Sequence, residues 1–485
     1  MSLPNFTRPY HHPGCKMIYV GLFLTIILFF SSFKQNQAQT DISGSWEGTL
    51  DLGFQKLPLL FHFNRESGDW QGKMDSPSQG AQGIEVSKLL FDGMMLLLEI
   101  DALNVSFEGL LQEGVFQGQF TQGGFKLPLN LSRSSGESVK SMTSDRPQEP
   151  KPPFPYESME VTFLSGPEKT ALKGTITKPS GSGPFPAVVL VNGSGPQDRN
   201  GELLGHKPFW VMADFLTRRG IVVFRYDERG VGKSEGSFQG TTSRGFAEDA
   251  RAALERLPYY EFVDNTRIGL IGHSEGGLIA WILAAEQHTL PAYVLALAPP
   301  VVPIANLMER QTEDAIRATG APEELVQSQK VFNRNLYQAI ATADDSTAAA
   351  KSLEQVLRHH GENAGLSGTP LQEQIKEQLA GYRQLLDPWF FHFIRMDPRI
   401  LIQQAQVPIW AGFGAKDVQV NALENHTALE KILGNNPLHT VITYPDLNHL
   451  FQTAQTGAVS EYADITETFN ESVLHDMAEW ILERN

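Results

Sequence analysis

The sequence predicts an α/β fold, a mostly parallel sheet with helices on both faces, preceded by a small all-β domain. Three observations carry this. From Ser158 onward, near-continuous apolar runs alternate with amphipathic segments, the texture of buried parallel strands separated by helices. Residues 41–132 instead show short apolar or alternating runs broken by Gly, Asp and Asn, which reads as an antiparallel sheet or small barrel. The run Arg267–Gly277 (RIGLIGHSEGG) passes from an apolar strand through Gly-x-Ser-x-Gly into a helix expected to start at Leu278.

Residues 1–39 read as a leader. Lys16 precedes the apolar run Met17–Phe33, which is followed by Ser-Ser, a polar QNQAQ stretch and the small residue Ala38. Seventeen residues span roughly 25 Å as a helix, slightly short for a membrane crossing. The pattern suits a secretory signal, with Met17 as an alternative start. A periplasmic or secreted protein is expected, and anchoring by the same segment is the alternative.

In the β domain (41–132) the expected strands are Gly44–Leu52, Leu57–Phe63, Leu89–Glu99, Val105–Leu111, Val115–Phe120 and Phe125–Leu131. Its polar residues form no catalytic constellation, so a structural or substrate-docking module is expected. Residues 133–156 are rich in Ser, Pro and charge without apolar period, and read as a linker stiffened by prolines.

Residues 157–485 hold the catalytic part. Strands are expected at Met159–Leu164, Ala171–Thr177, Phe185–Val191, Ile221–Tyr226, Ile268–Ile271, Tyr293–Ala298, Val407–Phe413 and Thr440–Tyr444. Helices are expected at Pro208–Arg219, Ser243–Leu257, Leu278–Glu286, Ala422–Leu433 and Glu461–Leu482. From about residue 303 to 398 the alternation stops and the chain is helix-rich and charged. Such a long insertion between two strands reads as a cap.

Composition narrows the function. The formal net charge is −16, and about −19 without the first 38 residues, which argues against nucleic-acid binding and adhesion to anionic lipid. Partners are expected to be neutral or cationic. The single cysteine, Cys15, precedes the apolar run, so disulfides and thiolate chemistry are impossible beyond it. The thirteen histidines show no HExxH spacing, and neither metal nor cofactor is expected.

The Gly-x-Ser-x-Gly pattern alone arises by chance in about one such chain in four, so its surroundings decide. Ser274 tops the strand Ile268–Ile271. Asp417 follows the strand ending at Phe413, in Gly414-Ala-Lys-Asp. His449 follows the strand ending at Tyr444, in Pro445-Asp-Leu-Asn-His. Three residues at the C-terminal ends of parallel strands, in the order Ser, Asp, His, suit acyl transfer. A serine hydroxyl needs an imidazole to take its proton, and an aspartate fixes the ring tautomer. Asp446 is the rival acid, but it does not follow the preceding strand; His439 and His426 read as surface residues. The oxyanion is expected to be held by the backbone N–H of Glu275 and by Ser194, with Gly195 next, in the turn Asn192-Gly-Ser-Gly-Pro. Tyr226–Ser234 lacks the spacing of a phosphate loop, and Asp227 and Arg229 read as structural ion-pair residues.

From about residue 158 to its end the chain resembles an α/β-hydrolase of the esterase and serine-aminopeptidase-like (S33-type) group. The matching segments, in family order, are Asn192-Gly-Ser-Gly-Pro-Gln-Asp-Arg, Arg225-Tyr-Asp-Glu-Arg-Gly-Val-Gly-Lys-Ser, Ile271-Gly-His-Ser-Glu-Gly-Gly, Gly414-Ala-Lys-Asp-Val-Gln-Val and Leu447-Asn-His449. The resemblance implies Ser274, Asp417 and His449 as a triad beneath a cap. Asn192 departs from the histidine that many relatives carry, which affects the oxyanion turn and not the reaction type. Ser274 argues against the aspartate and cysteine nucleophiles found elsewhere on this fold. The leading expectation is cofactor-free hydrolysis of a small-molecule carboxylic ester through an acyl-enzyme, with no stable membrane partner after signal cleavage. One alternative is removal of residues from peptide N-termini, with Glu309, Glu313 or Asp314 of the cap holding the substrate amine. The other is a non-catalytic envelope binding protein working through the β domain.

Overall fold

The computed structural model describes residues 41–484 apart from 52–55, 67, 77–80, 104, 123–124, 135–145, 287 and 319. The expected leader, with Cys15, lies outside the described residues.

Nine strands form the first sheet: Gly44–Asp51, Lys56–Glu66, Asp69–Ser76, Ala81–Glu85, Lys88–Phe91, Met95–Ile100, Val105–Gln112, Val115–Gln122 and Phe125–Arg133 (β1 to β9). The order is β4-β3-β2-β1-β9-β8-β7-β6-β5, with every pairing antiparallel and the last strand returning beside the first. The β3–β4 ladder runs on past the end of β4, where the Val86 N–H donates to the Gly72 carbonyl (2.9 Å). Trp46, Phe61, Phe107 and Phe116 fill its interior. Leu89–Glu99, read as one strand, is two: Asp92 accepts the N–H groups of Met94 and Met95, and Gly93 turns at φ +107°. Neither β3 nor β4 was expected; the inward positions of β3 include Gly72 and Ser76 and give no apolar period.

The second sheet has eight strands. In chain order the elements are Tyr156–Ser165 (β10), Thr170–Pro179 (β11), Phe185–Val191 (β12), Pro208–Arg218 (α1), Val222–Tyr226 (β13), Ser243–Arg256 (α2), Val263–His273 (β14), Glu275–Ala285 (α3) and Val294–Leu297 (β15). Six helices follow: Ile304–Ala318, Glu323–Ala341, Ser346–Asn363, Gly368–Gly381, Pro388–Phe393 and Pro398–Gln404 (α4 to α9). Ile409–Gly414 (β16), Ala422–Leu433 (α10), Thr440–Tyr444 (β17) and Glu471–Leu482 (α11) complete the chain.

The sheet order is β10-β11-β13-β12-β14-β15-β16-β17. β11 is antiparallel to both neighbours, and β12 to β17 are parallel. Along β12, Ala187, Val189 and Val191 pack into one core while Val188 and Leu190 pack into the other. A strand buried on both faces has no polar side to show, which is why it reads as an unbroken apolar run. α2, α3 and α10 cover one face; α1 and α11 cover the other. The helices between β15 and β16 include a core of their own around Leu336, Ile340, Leu353 and Leu357.

Two helix starts differ from expectation. α3 begins at Glu275, not Leu278: Gly276 and Gly277 are poor helix formers, but a Cβ at Gly276 would stand 2.2 Å from the Val191 carbonyl oxygen. Helix and strand approach too closely for any other residue. α11 begins at Glu471, not Glu461, because Asn470 caps it through Ser472 N–H (3.0 Å). The stretch before it is held by other partners: Gln148 accepts the N–H groups of Thr468 and Phe469, and Arg146 donates to the carbonyls of Ala463, Ile465 and Leu204. The end of the linker is thus seated on the second sheet's unit. Asp227 and Arg229 are both ion-paired, though not to each other: Asp227 holds Arg199 and Arg229 holds Asp249.

Candidate active site

The strand order changes direction at β12, with β13 on one side and β14 on the other, and open α/β sheets place ligands beyond the strand ends at such a point. Ser274 stands there, between β14 and α3, at φ +55° and ψ −118°. That conformation is costly for a residue with a Cβ and persists only where its surroundings enforce it. Its N–H donates to the Leu297 carbonyl (2.8 Å), and its own carbonyl accepts from Gly277 (2.9 Å). Gly272 and Gly276 make the turn possible, since a Cβ on Gly272 would lie 2.1 Å from the Gly276 oxygen.

His449 and Asp417 come from the loops after β17 and β16. His449 Nδ1 lies 2.7 Å from Asp417 Oδ2, and both residues are buried. A carboxylate only accepts, so Nδ1 carries the hydrogen and Nε2 is left with a free lone pair. The other carboxylate oxygen accepts the N–H groups of Gln419 (2.7 Å) and Val420 (2.8 Å), which fixes its orientation. Asp446, the rival acid, is two-thirds exposed and pairs with Lys416 at 3.1 Å. His426 contacts Thr443 and Glu430, and His439 accepts from Ile409 N–H, so neither joins this group.

Ser274, Glu275, Ser194, Gly193 and His449 line one open cavity of about 2140 Å³, with Asp417 behind the histidine. Glu275 opens α3, so its N–H is one of the helix's unclaimed first donors. Ser194 commits its hydroxyl to Glu275 Oε2 (2.8 Å), which leaves its backbone N–H as the donor it can offer. The Asn192 amide donates to the Asp198 carbonyl (3.2 Å) at the base of the same turn.

Two roles were not read from the motif. The Glu275 carboxylate is buried and accepts from Ser194, Ser243 (2.5 Å) and the Trp389 indole (2.8 Å). Burial pushes its pKa up, against the pull of these three donors. It ties the elbow to the β12 turn, the start of α2 and the cap helix α8. His273 donates from Nε2 to the His449 carbonyl (2.8 Å), and the two rings lie 4.8 Å apart. Burial, reinforced by the neighbouring His449, lowers the His273 pKa to about 3, so it stays neutral. Its place before the serine was visible in the sequence; its partner, 176 residues away, was not.

The cap acids proposed to hold a substrate amine are all engaged. Glu309 pairs with Arg334, Glu313 with Arg317 and Lys330, and Asp314 with Arg310. Among the described residues no group of three or more His, Cys, Asp or Glu converges to hold a metal.

A profile of the serine aminopeptidase S33 family matches residues 209–453. The esterase EstD of Thermotoga maritima is 26% identical over 330 residues, 68% of each chain. Rv2307c of Mycobacterium tuberculosis, of uncharacterized function, is 34% identical over 128 residues, 26% of this chain and 40% of that one. Among solved structures, an esterase of Pyrococcus furiosus matches with a TM-score of 0.41 at 16% identity, covering 70% of this chain and 96% of that one.

Proposed function

We propose that this chain, which belongs to the serine aminopeptidase S33 family and has the α/β-hydrolase fold, hydrolyses carboxylic esters through an acyl-enzyme on Ser274. The observation that carries the reading is the strained serine at a strand end, in one cavity with a histidine whose Nδ1 is held by a buried aspartate. His449 Nε2 takes the proton of Ser274 as Oγ attacks the ester carbonyl. The oxyanion meets the N–H groups of Glu275 and Ser194. The alcohol leaves with the proton from His449, and water then repeats the sequence to release the acid.

An ester is favoured over a peptide N-terminus because Glu309, Glu313 and Asp314 already hold arginine or lysine. The name of the Thermotoga relative agrees. The test is Ser274→Ala, assayed with p-nitrophenyl butyrate and a fluorophosphonate probe. Both turnover and labelling should vanish in a folded variant; their persistence would exclude Ser274 as nucleophile.

A further inference from the structure

The β module supplies none of the groups named above, yet it borders the same cavity. Leu50 on β1, Leu57 on β2, Leu103 in the turn after β6, Phe120 on β8 and Leu127 on β9 line it, and Phe120 and Leu127 are cross-strand partners. Leu386, Trp389 and Phe393 of the cap region line the same cavity. Much of the polar lining is uncharged amide, including Gln122 on the module and Gln311 and Gln384 on the cap side. Asp387, one of the lining carboxylates, caps α8 through Trp389 N–H (2.9 Å). The volume, about 2140 Å³, is well beyond the ~300–1,000 Å³ usual for a small-molecule site.

Apolar residues of the module and of the cap region in one cavity with Ser274 suit a long uncharged chain attached to the reacting carbonyl. We propose that the cavity-facing side of the β module, where Leu103 and Leu127 are accessible while Leu50, Leu57 and Phe120 are buried in the module's core, is a binding surface for the apolar chain of a bulky ester held at Ser274. The inference rests on the ester-hydrolase reading and names its substrate class. Each methylene removed from water on such a surface favours binding about fourfold. Leu103 is the natural probe because it is 37% exposed, so a charge there meets the cavity without entering the module's core.

The experiment uses the full chain. Leu103→Asp and Leu127→Asp are compared with wild type and with Leu90→Asp, which changes a leucine on the module that is 55% exposed and does not line the cavity. Two substrate series are run: p-nitrophenyl esters from acetate to decanoate, and acetates of alcohols from ethanol to decanol. They distinguish an acyl chain from an alcohol chain on this surface. In one series, kcat/KM for the longest substrate should fall roughly tenfold in Leu103→Asp and Leu127→Asp, as expected from losing several apolar contacts. The shortest ester of the same series, and Leu90→Asp throughout, should stay within about twofold of wild type. Chain-length profiles in both variants that match wild type would overturn the binding surface while leaving the ester reading intact. No turnover of any ester by wild type would overturn the ester reading and the binding surface with it.

Discussion

Asp417 Oδ2 and His449 Nδ1 are 2.7 Å apart, and the aspartate side chain is fully withdrawn from solvent. The pair therefore works in a dry setting where the tautomer of the ring is decided by one acceptor. Asp417→Asn offers an N–H in place of that acceptor and favours the wrong tautomer, so kcat on a short ester should fall by about 10⁴. Asp446→Asn should leave kcat within about twofold, because an exposed partner of Lys416 contributes little. Steady-state kinetics of the two variants decides between the acids.

Gly276 carries the close contact between α3 and β12. Gly276→Ala puts a Cβ 2.2 Å from the Val191 oxygen, which is backbone and cannot swing aside. The expected loss is about 3 kcal/mol or more, since strand or helix must shift. Urea unfolding measures it, and a variant as stable as wild type would show that the elbow has slack.

Glu275 joins four segments through three donors. Glu275→Ala leaves the Ser243 and Ser194 hydroxyls and the Trp389 indole without their acceptor, at about 1–3 kcal/mol for each donor that stays buried. The Trp389 emission should shift as its indole N–H loses that bond. Glu275→Gln keeps one acceptor oxygen, and kcat should fall about tenfold with KM little changed, because the side chain positions the oxyanion turn and does not bind substrate. Equal loss in KM would argue for direct substrate contact.

His273 stays neutral down to about pH 3, with burial as the main cause. The proposed mechanism needs one neutral imidazole, and His273 adds no second protonation on the acid side. The acid limb of log(kcat/KM) against pH should therefore have a slope of one; a slope of two would show that His273 titrates as well. For stability the sign is equally definite. The unfolded ring binds a proton below about pH 6.5 and the folded ring does not until about pH 3, so the contribution of His273 is complete above that window and lost as pH falls through it. His273→Asn should lower the proton uptake on unfolding at pH 5 by about one, measured by calorimetry in two buffers.

Much of the catalytic sheet was legible because burial on two faces forces an apolar run. Phe185–Val191, buried almost throughout, was read with the bounds it has, as was the edge strand Thr440–Tyr444, which is only partly buried. So was the amphipathic helix Ala422–Leu433, whose start is marked by the cap Asn421. β3 escaped because its sequence, DWQGKMDS, places a glycine and a serine on the inward side. The order and strand-end positions of Ser274, Asp417 and His449 were readable, since each follows an apolar strand. The carboxylate of Glu275 was not, because its partners are 32 to 114 residues distant and converge only through the fold. The β module's place on the cavity was invisible for the same reason: no local pattern tells one β face from another.

The seating of Arg146 and Gln148 redraws where the catalytic unit starts. Tyr156 opens the sheet, but the carbonyls of Leu204, Ala463 and Ile465 and the N–H groups of Thr468 and Phe469 depend on side chains upstream of it. All of these but the Leu204 carbonyl belong to the segment that leads into α11 and packs beside the His449 loop, where Gln452 bonds the Glu467 carbonyl. A fragment cut at the first strand would strip that brace from the segment beside the His449 loop. From Arg146 on, what looks like tether is built into the unit it leads to.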